Sequence, residues 1–170
     1  MSLEKCIRDI PDFPKPGILF RDITTLLNDK DAFREAVDSL CAMLKDVQID
    51  CIVAAESRGF IFAGALAYQL RCGFAPIRKP GKLPYKTYRH TYELEYGEDA
   101  LEIHQDAFPA GSKILVLDDL LATGGTTGAM ISLVRKLKGE IAAVAFLIEL
   151  TALNGRKKIE EYPVYSLIKY

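Results

Sequence analysis

The chain alternates short unbroken apolar runs with longer stretches in which apolar residues recur at helical spacing. The runs cover residues 51–55, 74–77, 114–117 and 141–150, the last interrupted only by Glu149, the pattern of strands buried on both faces of a parallel sheet. Between them, Phe33, Val37, Leu40, Cys41, Leu44 and Val47 make one stripe of a helix over 31–47, with Asp29 or Asp31 as its cap. A second helix is expected over 60–70, and a third after residue 127, where Met130, Ile131, Leu133, Val134 and Leu137 repeat at helical spacing. Lys136, Lys138 and Gly139 suit its C-terminus. Residues 92–104 interleave polar and apolar side chains around Gly97, as a β-hairpin does. After a polar turn and short helix at 151–159, residues 164–168 suit an edge strand. Strands separated by helices predict an α/β fold: a mainly parallel twisted sheet with helices on both faces, in a single domain over 1–170. Pro11, Pro14, Pro16 and Gly17 exclude a helix at the start and predict a stiff surface arm.

The densest chemistry lies where the run at 114–117 ends. Asp118 and Asp119 follow it, then Ala122, Thr123, Gly124, Gly125, Thr126 and Thr127, then the third helix. Free N–H groups at a helix start, with the positive end of its dipole, seat a phosphate. The glycines let the backbone approach closely, and the threonines add hydroxyl donors. Carboxylates beside a phosphate seat suit sugar hydroxyls, or a divalent cation held through water. Phosphate at one end and a diol at the other describe a ribose 5-phosphate.

Composition narrows the field. The chain is 49% hydrophobic and 26% charged, with a formal charge of −1, which argues against a general nucleic-acid or membrane-surface binder. Cys6, Cys41, Cys51 and Cys72 have no metal-ligand spacing, with only His90 and His104 to join them; free thiols in a reducing cytoplasm are expected. The longest apolar run, 141–148, is far short of the ~20 residues of a membrane span. The most basic stretch, 78–90, with Tyr85, Tyr88 and Tyr92 in or beside it, fits a nucleic-acid contact or a solvated loop.

The stretch VLDDLLATGGTT resembles the signature of the type I phosphoribosyltransferases, which act on phosphoribosyl pyrophosphate. Five further blocks resemble the branch of that family that acts on adenine: Pro11-Asp12-Phe13-Pro14 with Pro16-Gly17, Phe20-Arg21-Asp22-Ile23, Glu56-Ser57-Arg58-Gly59-Phe60, Arg78-Lys79 with Gly81-Lys82-Leu83-Pro84, and Leu94-Glu95-Tyr96-Gly97. The resemblance covers nearly the whole chain. It implies transfer of a phosphoribosyl group to adenine, giving AMP and pyrophosphate, with Mg2+ as cofactor and a homodimer as the assembly. The expected alternatives are another nucleobase, or a regulatory protein that binds phosphoribosyl pyrophosphate without turnover. A regulatory protein of this kind usually adds a nucleic-acid-binding element, and none fits before Pro11.

Residue by residue, the resemblance implies that Leu19, Phe20 and Arg21 wall the adenine pocket, in a hood built by an arm at about 1–28 and the hairpin. Residues 122–127 hold the 5′-phosphate. Asp118 and Asp119 hold the ribose hydroxyls and, through water, the metal. Arg58 follows the run at 51–55; a guanidinium fork there suits pyrophosphate, the alternative being a surface ion pair with Glu56. The basic stretch becomes a mobile lid at about 79–93, with Lys79 and then Lys82 on pyrophosphate, ahead of Arg78, Lys86 and Arg89. Glu95 becomes the acid/base, and Arg58 joins it as a catalytic residue. In relatives that use 6-oxopurines, an aspartate stands just before the Thr-Gly of the signature; Ala122 stands here, which fits adenine.

Overall fold

In the computed structural model, which describes residues 2–94 and 97–170, five parallel strands form one sheet in the order β4-β3-β7-β8-β9. These are β3 (Cys51–Ala55), β4 (Gly73–Ile77), β7 (Lys113–Leu121), β8 (Glu140–Glu149) and β9 (Val164–Lys169). Every residue of β3 is buried, as expected of a strand covered on both faces. On one face, α2 (Lys30–Met43) and α3 (Arg58–Leu70) bring Leu40, Phe62 and Leu66 against Ile52, Leu115 and Leu117. On the other, α4 (Gly125–Lys136) and a hairpin bring Met130, Val134, Leu101 and Ile103 against Val53, Val116 and Phe146. The α/β class and the layering read from the sequence are those observed.

A local signal explains the start of α2. Asp29 caps α2, its carboxylate accepting from the N–H groups of Asp31 and Ala32 at 2.9 and 3.0 Å. The proline-rich arm is an antiparallel ribbon, β1 (Arg8–Pro11) with β2 (Leu19–Asp22), leading into the short α1 (Thr24–Asn28). The hairpin is longer than its alternation suggests. β5 (Thr87–Leu94) pairs with β6 (Gly97–His104) from Thr87↔His104 to Leu94↔Gly97. The basic stretch expected to be a lid is therefore a loop up to residue 86 and a paired strand beyond it. Residues 151–159 are two 3-10 turns, Thr151–Leu153 and Gly155–Ile159, and β9 is the edge strand.

The topology decides where a ligand can go. From β3 the chain passes through α3 to β4 on one side; from β7 it passes through α4 to β8 on the other. The order reverses between β3 and β7. In open α/β sheets a crevice opens beyond the carboxyl ends of such a strand pair.

Candidate active site

The segments around Arg58, Lys79 and the Gly124-Gly125 turn leave from the carboxyl ends of β3, β4 and β7; the aromatic wall comes from β2. Strand β7 does not stop at Leu117. It continues through the acid pair to Leu121, paired with β8 as Asp118↔Phe146, Leu120↔Ile148 and Leu121↔Glu149. The two aspartates are thus held by the sheet and not by a turn. Asp119 is buried, and its N–H donates to Oδ1 of Asp118 at 2.9 Å. Asp118 Oδ1 would lie 3.0 Å from a Cβ added to Gly59, so this glycine lets α3 lie against the acid pair. Burial raises the pKa of both carboxyls, Asp118 furthest because the charge of Asp119 adds to it. Arg58 counters the rise in both.

Arg58 is the first residue of α3, and it crosses the crevice. Its Nε lies 2.8 Å from Oδ2 of Asp119, and its guanidinium carbon lies 5.3 Å from the centre of the Phe20 ring. The ion pair with Glu56 is not formed; Glu56 instead accepts from Nε of Arg78 at 3.2 Å and from the N–H of Lys79 at 2.7 Å. One guanidinium therefore joins the acid pair on β7 to the aromatic wall on β2. The wall itself is split by strand alternation. Phe20 faces Arg58 and stacks edge-on with Phe13 at 5.1 Å. Arg21 turns away: its guanidinium lies 3.7 Å from the centre of the Tyr170 ring and pairs with Asp9. Only the backbone of Arg21 remains available to a base. Leu19 is 46% exposed on the same strand.

Past Leu121 the chain turns through Ala122 and Thr123 to Gly124, whose φ of +81 is a left-handed value that glycine adopts freely. Gly124 is the N-cap of α4 and offers no side chain to the helix start. Gly128 N–H bonds back to the Gly124 carbonyl at 2.9 Å; the N–H groups of Gly125, Thr126 and Thr127 precede it and have no helix carbonyl to reach. Thr127 is buried, while Thr123 is exposed and Thr126 half-exposed. The residues expected to seat a phosphate thus lie at a helix start whose first N–H groups are free of helix carbonyls.

The hairpin folds over this seat. Tyr92 OH lies 3.4 Å from Thr126 Oγ1 and donates to Oδ2 of Asp99 at 3.2 Å, and the same oxygen of Asp99 pairs with Nζ of Lys79. Lys136 on α4 pins the hairpin with a 2.6 Å bond to the Arg89 carbonyl. Lys79 therefore stands at the site with an acidic partner that sequence reading missed. In the sequence Tyr92 is one of three tyrosines in or beside the basic stretch, and nothing local marks Asp99. Among the described residues Lys82 has no side-chain hydrogen bond or ion pair; its N–H bonds to the Lys79 carbonyl at 3.3 Å. Glu95 lies outside the described residues, following Leu94 in the chain.

Set beside known proteins, the chain matches the phosphoribosyl transferase domain over residues 24–169. It is 58% identical, over 170 residues and the full length of both, to the adenine phosphoribosyltransferase of Brachyspira hyodysenteriae. The crystal structure of adenine phosphoribosyltransferase from Thermoanaerobacter pseudethanolicus is similar at a TM-score of 0.97 and 51% identity, covering 99% of this chain and 98% of that one. The Saccharomyces cerevisiae enzyme, complexed with adenine and an imino-altritol bisphosphate, is similar at 0.91 and 40% identity, covering 98% and 96%. The sequence signature, the crevice built around it and these full-length likenesses agree: the chain belongs to the phosphoribosyltransferase family.

Proposed function

We propose that this chain transfers the 5-phosphoribosyl group of phosphoribosyl pyrophosphate to adenine, releasing AMP and pyrophosphate. The observation that carries the proposal is the bridge made by Arg58, which brings the acid pair and the aromatic wall to one crevice beside the phosphate seat. In this reaction the bond from the anomeric carbon to pyrophosphate breaks with its electron pair leaving on oxygen. Adenine N9 forms the new bond and gives up a proton. The N–H groups at the start of α4 hold the 5′-phosphate, so its binding energy orients the sugar. Asp118 and Asp119 accept from the ribose hydroxyls. Phe20 offers its face to the purine, and the β2 backbone offers donors and acceptors to the ring edge. Arg58, Lys79 and Lys82 neutralise the leaving pyrophosphate, which requires Lys79 to exchange Asp99 for substrate. Glu95 is the acid/base assigned to the purine proton.

Mg2+ fits this site as a guest of the substrate. Among the described residues no group of three or more His, Cys, Asp or Glu side chains converges to hold a metal. Asp118 and Asp119 offer two hard oxygen donors, enough for an ion carried mainly by substrate oxygens and water. When bound, the ion neutralises charge building on the pyrophosphate.

The same proposal includes a homodimer and a cytoplasmic setting. Ile61 and Tyr68, 41% and 87% exposed on α3, offer apolar surface to a second copy, and sedimentation over a range of concentrations tests it. All four cysteines are free, which suits a reducing compartment. Among the described residues no helix is long and apolar enough to cross a membrane. The deciding experiment incubates the protein with Mg2+, phosphoribosyl pyrophosphate and each nucleobase in turn, and follows pyrophosphate release. Release with adenine alone is expected. Release with hypoxanthine but not adenine refutes the base assignment, and tight binding without release supports a regulatory protein.

A further inference from the structure

The segment after β8 has no part in the chemistry above, yet its backbone packs directly against residues 122–124. Gly155, buried at the start of its 3-10 turn, has an ordinary φ, so its backbone does not need glycine. Space does. A Cβ on Gly155 would lie 2.2 Å from the Ala122 carbonyl oxygen, 3.0 Å from the Gly124 nitrogen and 3.0 Å from Leu121 Cδ1. In return, a Cβ on Gly124 would lie 2.8 Å from the Gly155 carbonyl oxygen. Two backbones meet here with no side chain between them.

The next residue anchors that contact. Arg156 donates to both carboxylate oxygens of Glu149, at 3.0 and 2.6 Å, to the Val164 carbonyl at 3.0 Å and to Ser166 Oγ at 3.2 Å. Glu149 is 5% exposed and ends β8, opposite Leu121 at the end of β7; Val164 and Ser166 belong to β9. The guanidinium fork thus ties the turn to two strands of the sheet, and the turn bears on the loop that leaves a third.

We propose that Gly155 and Arg156 are positioning residues for the phosphate seat: an Arg156-anchored strut holds the backbone of residues 122–124 where the N–H groups of α4 converge on the 5′-phosphate. The proposal rests on the reading of residues 122–127 as that seat. A fork of donors is what makes the strut rigid, and lysine, a single flexible point charge, reproduces its charge but not its geometry.

The test measures ribose 5-phosphate and pyrophosphate binding separately, by calorimetry, in wild type, Gly155→Ala and Arg156→Lys. One hydrogen bond to a charged phosphate lost or bent is worth ~10-fold or more in affinity. Gly155→Ala is therefore expected to weaken ribose 5-phosphate by that factor and leave pyrophosphate unchanged. Arg156→Lys is expected to weaken it ~3-fold or more in the same selective way, for a partial loss of alignment. In turnover, kcat/KM for phosphoribosyl pyrophosphate falls by the same factor, because the 5′-phosphate contact both binds and orients the sugar. A purely structural role lowers the melting temperature and spares this selectivity. Wild-type ribose 5-phosphate affinity in Gly155→Ala overturns the proposal. If that variant does not fold, wild-type affinity in Arg156→Lys overturns it. Failure of the wild-type protein itself to bind ribose 5-phosphate refutes the seat, and the strut with it. Binding with no turnover on adenine refutes the activity and leaves the strut standing.

Discussion

Replacing Arg58 by glutamine separates two tasks that one guanidinium performs. In the proposed reaction Arg58 meets pyrophosphate, and in the structure it lies 2.8 Å from Asp119, where its charge favours the carboxylate. AMP carries no pyrophosphate, so its binding reports the second task alone. Two unit charges at this distance interact by about 6 kcal/mol at an effective dielectric of ~20. The Arg58 side chain is 39% exposed, so solvent screens much of that, and ~1.5–3 kcal/mol is the fair range for the charge-assisted bond. Burial already pushes the carboxyls of Asp118 and Asp119 upward in pKa, and Arg58 opposes the push in both. Without it Asp119 holds its proton to higher pH, and a protonated carboxyl accepts less well from a ribose diol. Calorimetric titration with AMP should therefore show wild type and Arg58→Gln converging in alkaline buffer and separating by ~10-fold or more near pH 6, the lower end of that energy range. The acidic limb of kcat/KM should move to higher pH in the same variant. An affinity ratio that stays constant with pH refutes the role of Arg58 as the counter-charge of Asp119.

Three further substitutions extend the same reasoning. Because the Asp118 pKa is raised on folding, the folded chain binds that proton more tightly than the unfolded chain, and stability is lost as pH rises above the ordinary carboxylate range. Asp118→Asn should thus raise the melting temperature at pH 7–8 by a few degrees, on the scale of ~1 kcal/mol, while lowering turnover ~10-fold or more; a fall in melting temperature refutes the sign. Asp22 runs the other way: the Thr24 N–H, then Arg8 and the Thr24 hydroxyl, hold its pKa down to about 2. Its contribution is complete above the unfolded carboxylate pKa and lost as pH falls towards 2. Asp22→Asn should cost ~1 kcal/mol at pH 7, allowing for the exposure of Arg8, and flatten the acid side of the stability profile; an unchanged slope there refutes it. Asp99→Asn removes the partner of Lys79, a pair 42% and 25% exposed, and should tighten pyrophosphate binding by ~2- to 5-fold, since such a pair is worth at most ~1 kcal/mol. Weaker binding instead would mean that Asp99 presents Lys79 to the ligand.

What the chain declares locally, it declares well. The apolar run of β3 and the helical stripes of α2 and α4 are visible because burial on one face or two imposes a period on neighbouring residues. The proposed phosphate seat is visible for the same reason: its glycines and the helix start are consecutive in the chain, and their chemistry is that of the backbone. The tertiary structure alone decided the partners. That Arg58 meets Asp119 rather than Glu56 follows from β3 and β7 lying side by side, and that is set by sheet order. That β7 runs on through the acid pair depends on β8 pairing beside it as far as Leu121. Arg21 faces Tyr170 because strand alternation turns it away from Phe20, and a proline-rich arm gives no sign that it will pair as a ribbon. Tyr92 over Thr126, Asp99 on Lys79, and Gly155 against Gly124 join residues distant in the chain. Periodicity records which face of an element is covered; it carries no record of which other element covers it.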